Sequence, residues 1–137
     1  MGDYFEWNEA KLGLHIPEMD REHQMLISLM NKLHVLREKK APATEVAAAI
    51  KALGDYTVKH FADEEAYLAR IHYPGLGVHK GVHKQLLERF TGFQNAFQKD
   101  GKLTDDFFVF LKMWLNAHIS SVDMKYSQHV AAGAKSA

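Results

Sequence analysis

The sequence has no cysteine and only three prolines in 137 residues. Without thiols the chain has no means of forming disulfides, thiolate metal sites or a cysteine nucleophile, so any metal ion must be bound through nitrogen and oxygen. The scarcity of proline, together with only nine glycines, disfavours a turn-rich all-β fold and favours helices.

An excess of one charge and long apolar runs are also missing. Lysine plus arginine and aspartate plus glutamate each number 17, so there is no basic field for a phosphate backbone and we expect no nucleic-acid partner. The richest apolar stretch, Phe107 to Leu115, contains Lys112 and is far shorter than the ~20 residues that span a bilayer, so we expect no membrane insertion. The first residues lack the order of a secretory signal, and we expect a cytoplasmic protein.

Apolar residues recur at helical spacing in four segments, which predicts helices over about residues 20–39, 44–71, 78–99 and 104–130. Residues 1–19 show no sustained period and are interpreted as an arm over the helices. Asp20 has the position and chemistry of an N-cap for the first helix. Short connections force neighbouring helices to be antiparallel. The sequence therefore predicts one domain over residues 1–137, an all-α, up-down-up-down antiparallel four-helix bundle with an N-terminal arm.

Nine histidines are present, and helical phase decides which of them face the core. Residues four apart on a helix share one face, one turn apart. By this criterion the following side chains lie in phase with the apolar faces of their helices: His23, His60, Glu64, His79, His83 and His118. Each helix therefore directs at least one imidazole into the bundle.

Asp123 follows His118 by five residues and lies close to the same face but not on it. On an ideal α-helix this separation turns the side chain by about 140°. Both side chains reach one centre only if the helix widens locally into a π-type turn, a feature often found at functional sites. We therefore expect an irregular turn between Leu115 and Asp123.

A cluster of this size is costly if nothing binds it. A buried polar group without a partner costs roughly 1–3 kcal/mol, so five imidazoles and two carboxylates would consume much of a typical stability of about 5–15 kcal/mol. Imidazoles and carboxylates without thiolates suit a borderline transition metal, and bundle cores commonly hold two carboxylate-bridged irons. Seven ligands are too many for one ion but suit two ions, with three and two histidines, that share both carboxylates.

These residues resemble the hemerythrin family, specifically its bacterial branch, over nearly the whole chain. The matching motifs are Phe5-x-Trp7, Met19-Asp20-x-x-His23-Gln24-x-Leu26, His60-Phe61-x-x-Glu64-Glu65, Tyr73-Pro74, His79-x-x-x-His83 and Trp114-Leu115-x-x-His118-x-x-x-x-Asp123. Seven ligand positions at matching spacing are far more specific than any single motif.

The resemblance implies a cofactor of two iron ions in a non-haem diiron centre. The implied ligands are His79, His83 and His118 for one iron, His23 and His60 for the other, and Glu64, Asp123 and a solvent oxygen as bridges between them. The second iron would keep an open position for dioxygen. The implied walls of the dioxygen pocket, which would deny it water and protons, are Leu26, Phe61, Trp114 and Leu115.

The implied function is reversible dioxygen binding, as a carrier, store or supply, and not catalysis. The alternative is an oxygen- or redox-sensing domain of a bacterial signalling protein, which would use the same site. A diiron enzyme or iron-handling protein is disfavoured because the sequence has no Glu-x-x-His pair, the ligand pattern of ferritin-like proteins. Dioxygen is the expected partner, while an oxygen-using or signalling protein partner is left unidentified.

Other polar residues are predicted to lie outside the site. The remaining histidines, which fall in the arm, in a loop, near the chain end or far along the first helix, are His15, His34, His72 and His129. Asp63 and Glu65 are expected to be solvated because only Glu64 shares the face of His60. Tyr67 and Tyr126 are expected to pack in the core, with hydrogen bonding to the ligands as the alternative.

Overall fold

The computed structural model describes residues 4–136, in which every regular element is helical. The elements are α1 (Glu9–Leu12), α2 (Pro17–Glu38), α3 (Ala43–Arg70), α4 (Leu76–Asp100), α5 (Asp105–Ala117), a π-helical segment (His118–Asp123) and α6 (Met124–Ser136). The last three follow one another without a break and together make the fourth long helix. The helices α2 and α5 pack together, as do α2 and α3, and α3 and α4, in the predicted four-helix bundle.

The first long helix begins at Pro17, three residues earlier than the expected residue 20. Proline suits this first helical position because its missing N–H would have no partner there. The prediction that Asp20 is the N-cap is wrong, because Ile16 occupies that position. The carboxylate of Asp20 is buried and accepts a hydrogen bond from the backbone N–H of Leu14 at 2.9 Å. Asp20 therefore fixes the arm rather than the helix end.

The expected arm contains the short helix α1 and the first turn of α2. The side-chain amide of Asn31 forms two hydrogen bonds with the backbone of Phe5. Its Nδ2 donates to the Phe5 carbonyl and its Oδ1 accepts from the Phe5 N–H, each at 2.8 Å. The hydroxyl of Ser127, on α6, donates to the carbonyl of Leu14 at 2.7 Å. The arm is thus bonded to both the first and the fourth long helix, and its apolar side chains complete the core.

The core fills the bundle on both sides of the buried histidines. Its interior side chains are aliphatic and aromatic residues from the arm and from all four long helices. Gly54 on α3 brings this helix close to α4, because a Cβ built at Gly54 would lie 2.8 Å from Cε1 of Phe90. The limits of α3 and α4 lie within two residues of those expected, while α6 continues past the expected residue 130 to Ser136.

The fourth long helix is not α-helical throughout. Between His118 and Asp123 it widens into a π-helix, and the N–H of Met124 donates to the carbonyl of Ile119, five residues back. The hydroxyl of Ser120 donates to the carbonyl of Asn116, which gives that oxygen a partner next to the irregular turn. The widened turn expected from the spacing of His118 and Asp123 is therefore confirmed.

Within residues 4–136, no helix combines the length and apolar character needed to cross a membrane.

Replacement of Asn31 by Ala should destabilise the protein by about 1–3 kcal/mol, because it leaves both backbone groups of Phe5 without their partner. Urea unfolding followed by circular dichroism measures the loss. Replacement of Lys32 by Ala, at the exposed neighbouring position, is the control and should change stability little. Equal stability of the two variants would show that Asn31 does not anchor the arm.

Candidate metal centre

Seven side chains meet in the middle of the bundle, and all seven are at least nine-tenths buried. They come from all four long helices: His23 from α2, His60 and Glu64 from α3, His79 and His83 from α4, and His118 and Asp123 from the two ends of the π segment. The structure thus brings together every side chain that the sequence singles out as a candidate metal ligand.

The carboxylate of Glu64 lies between two groups of imidazoles and presents one oxygen to each. Its Oε1 atom is 2.7 Å from Nε2 of His79 and 2.9 Å from Nε2 of His83. Its Oε2 atom is 3.6 Å from Nε2 of His23 and also 3.6 Å from Nε2 of His60. Glu64 therefore faces both sides of the cluster at once.

Asp123 has the same arrangement. Its Oδ1 atom is 3.0 Å from Nε2 of His118 and 3.1 Å from Nε2 of His79. Its Oδ2 atom is 3.2 Å from Nε2 of His23. The two carboxylates thus divide the five histidines into a group of three, on the Oε1 and Oδ1 side, and a group of two, on the Oε2 and Oδ2 side.

Several polar atoms of the cluster have no hydrogen bond, although they are buried. Among the described residues, no partner with hydrogen-bond geometry meets Nε2 of His23, Nε2 of His118 or either oxygen of Asp123. Buried polar atoms are rarely left in this state unless a ligand binds them. Imidazole nitrogens and carboxylate oxygens that converge without partners fit divalent transition metals, including iron. The donor set therefore fits the two-ion centre that the sequence implies.

Electrostatics within the cluster favour charged imidazoles and charged carboxylates. Burial alone lowers the pKa of His23, but the nearby carboxylates of Asp123 and Glu64, 3.2 Å and 3.6 Å from its Nε2 atom, outweigh burial and raise the pKa to about 9. The same balance raises the pKa of His79 to about 9 and that of His118 to about 10. Burial raises the pKa of Glu64 and of Asp123, yet the surrounding imidazoles lower both below their ordinary values. Metal binding to the nitrogens of His23, His79 and His118 would therefore displace protons from them.

Two carboxylates outside the predicted set also contact the cluster. Glu65, expected to be solvated, instead lies with Oε2 at 2.9 Å from Nδ1 of His83, so that expectation is wrong. Glu22 lies with Oε1 at 2.7 Å from Nδ1 of His60. Helical phase misses Glu65 because its backbone position faces away from His60, but its long side chain reaches the neighbouring helix. Asp63 is bonded to Lys59 at the surface, as the solvated assignment requires.

For Tyr126 the structure confirms the alternative interpretation, hydrogen bonding to a candidate ligand. This tyrosine is fully buried, and its hydroxyl donates to Oε2 of Glu64 at 2.9 Å, so its role is not packing alone. Burial and the nearby carboxylates raise the pKa of Tyr126 well above its ordinary value, which keeps the phenol protonated as a donor. Tyr67 is half-buried and lies edge-on to the ring of Tyr126.

The four residues predicted as pocket walls are all buried: Leu26, Phe61, Trp114 and Leu115. The ring of Phe61 stacks on the imidazole of His83, with centroids 3.8 Å apart and planes within 6° of each other. The same ring meets Trp114 edge-on, with centroids 5.9 Å apart. Phe61 therefore forms an apolar cover directly over one side of the cluster.

The other four histidines lie outside the cluster. His34 stacks on Tyr4, and His129 lies edge-on to Tyr73. His15 and His72 are exposed and have left-handed backbone conformations, with φ of 59° and 55°.

Comparison with known proteins agrees with this geometry. Residues 14–130 match the family model described as the hemerythrin HHE cation binding domain. The bacteriohemerythrin of Stenotrophomonas maltophilia is 32% identical over 88% of this chain and 78% of that protein, and the bacteriohemerythrin of Methylococcus capsulatus is 28% identical over 92% and 96%. The myohemerythrin of Riftia pachyptila is 32% identical over 89% of this chain and 90% of its own length.

Solved structures extend the match to three dimensions. A crystal structure of wild-type hemerythrin aligns with a TM-score of 0.83 and 28% identity, over 91% of this chain and 96% of that chain. A family model that covers most of the chain, relatives that match over most of their length and a shared bundle lead to one conclusion: the chain belongs to the hemerythrin family.

Proposed function

We propose that this chain binds dioxygen reversibly at a non-haem diiron centre, and that it carries, stores or supplies dioxygen rather than catalysing a reaction. One observation carries the proposal: each of two buried carboxylates presents its two oxygens to different groups of histidines. A carboxylate placed in this way would be shared by two metal ions, one on each side of it. Membership of the hemerythrin family supports iron as the metal.

The division of the cluster supports an assignment of ligands to each ion. His79, His83 and His118 would hold one iron, His23 and His60 would hold the other, and Glu64 and Asp123 would be shared by both. When bound in its ferrous state, this centre supplies the two electrons that hold dioxygen and recovers them when dioxygen leaves. The ion held by two histidines would have fewer protein ligands, so dioxygen would bind on the side of His23 and His60.

The remaining residues of the site hold the ligands in place and exclude water. The Tyr126 hydroxyl fixes one oxygen of Glu64. Leu26, Phe61, Trp114 and Leu115 are buried, and each lies within about one turn of a candidate ligand, so we assign them as the apolar walls that limit access of water and proton donors to the bound gas. A site that binds dioxygen and releases it unchanged needs this exclusion more than it needs a catalytic acid or base.

Metal content tests the two-ion assignment. Protein produced with ample iron should contain about two irons per chain, measured by elemental analysis. Replacement of His79 by Ala should lower the content toward one, because it removes a ligand from the three-histidine group. The control is His129→Ala, an exposed histidine outside the cluster, which should keep both ions. A wild-type ratio near one would contradict the diiron assignment.

Oxygen binding is tested by visible absorption spectroscopy. The ferrous protein should be nearly colourless without oxygen, acquire a strong visible band in air and lose that band when oxygen is withdrawn. The same sample should repeat the cycle, because the buried apolar surroundings protect the bound gas from protons. Irreversible oxidation on the first exposure to air would rule out the carrier function.

Leu115 is one turn before His118 and is 1% exposed. Replacement of Leu115 by Asn, a polar residue of nearly the same shape, should speed oxidation of the oxygenated protein about tenfold or more, equivalent to ~1.4 kcal/mol of the barrier. Leu115→Met is the apolar control and should change the rate little. The decay of the visible band in air gives both rates. Equal rates for the two variants would show that Leu115 does not exclude water from the site.

A further inference from the structure

Two glutamates that are not among the seven candidate ligands contact the outer nitrogens of the buried histidines. Oε1 of Glu22 lies 2.7 Å from Nδ1 of His60, and Oε2 of Glu65 lies 2.9 Å from Nδ1 of His83. In both histidines Nε2 faces Glu64 instead, at 3.6 Å and 2.9 Å respectively. Each imidazole is therefore held between an inner and an outer carboxylate.

The two outer contacts are distributed over both histidine groups. His60 belongs to the group of two, and His83 belongs to the group of three. By contrast, Nδ1 of His23 and Nδ1 of His118 have no hydrogen-bond partner among the residues described. Each half of the cluster thus has one histidine oriented by a carboxylate and at least one that is not.

The contact between a glutamate and Nδ1 determines which nitrogen of the imidazole carries the proton. A neutral imidazole carries its proton on one nitrogen, and the partner of the other nitrogen decides which. A carboxylate only accepts hydrogen bonds, so it selects the form with the proton on Nδ1 and leaves the lone pair of Nε2 facing the centre. Its negative charge also makes that lone pair a stronger donor to a metal ion.

The glutamates themselves are held at the rim of the bundle. Glu22 is 15% exposed, and its Oε2 atom lies 3.8 Å from Nζ of Lys59 on the next helix. Glu65 is 27% exposed and lines a surface groove of about 600 Å³ between α3 and α4. Neither side chain reaches the centre with its own oxygens, because an imidazole lies between.

We propose that Glu22 and Glu65 are positioning residues, one for each metal ion, which orient His60 and His83 through the Nδ1 proton and strengthen their Nε2 donors. The inference rests on the proposed function, since it assumes that both histidines bind metal. It predicts that removing the charge of either glutamate lowers the affinity for one metal ion and leaves the affinity for the other unchanged, although neither glutamate is a ligand.

The test is a stepwise titration of metal-free protein with Co²⁺, in which absorption spectra follow the loading of each ion. Glu22→Gln and Glu65→Gln keep the size of the side chain and an acceptor oxygen but remove the charge. Each should lower the affinity of one ion by about 10–100-fold. His60→Ala and His83→Ala identify the ions, because each glutamine variant should weaken the same loading step as the alanine variant of its histidine.

Matched controls separate this effect from a general change in charge. Glu18→Gln removes an exposed carboxylate one turn before Glu22 on α2, and Glu88→Gln removes an exposed carboxylate that lines the same groove as Glu65. Both controls should bind Co²⁺ like the wild type. Circular dichroism of each metal-free variant establishes that it is folded before its affinity is compared.

A second measurement observes the Nδ1–H groups of the two imidazoles directly. Their resonances would not change if the glutamates only stabilised the fold. In the Zn²⁺-loaded protein, the ¹⁵N and ¹H resonances of Nδ1–H in His60 and His83 should show a hydrogen bond to a charged acceptor, and each should shift upfield in its own glutamine variant. Unchanged resonances, or affinities equal to those of the controls, would overturn the proposal. Failure of the wild type to load two ions would instead refute the proposed diiron function.

Discussion

The structure depends on the burial of Glu64 among the imidazoles of four helices. A carboxylate with no exposed surface is stable in a small core only if positive or hydrogen-bonding groups surround it, and here those groups come from every long helix. Separation of any one helix would leave buried charges without their counterparts. The polar centre therefore imposes the relative rotation of the helices, which an apolar core of similar volume would fix less strictly.

The apolar parts of the bundle support this centre from both sides. The arm is bonded to α2, which contributes His23, and to α6, which directly follows the π segment that contributes Asp123. The stacked pair of Phe61 and His83 joins the apolar cover to the ligand cluster without an intervening polar group. Packing and ligand geometry are thus parts of one arrangement, and a change in the apolar wall also changes the position of an imidazole.

Periodicity is sufficient to predict the bundle and the inward side chains, because both follow from a residue's angle around its own helix. It also predicts the π turn, since two inward residues five apart demand one. Glu65 and Tyr126 lie beyond this reasoning: their contacts depend on the distance between helices and on the reach of long side chains. The predicted start of α2 is wrong for a related reason. Asp20 has the chemistry of a helix cap, but its carboxylate accepts a hydrogen bond from Leu14 in the arm.

The π segment contains one residue more than alignment alone requires. A helix shortened by one residue there would place its histidine and aspartate four apart, the spacing that His60 and Glu64 already use within an unbroken α-helix. The additional residue instead widens the backbone beside the centre into a π-helix. There the hydroxyl of Ser120 donates a hydrogen bond to the carbonyl of Asn116. Local opening is easiest where regular main-chain bonding is interrupted. The fourth helix is accordingly the part of the bundle in which we expect the backbone to open most easily when the centre holds no metal.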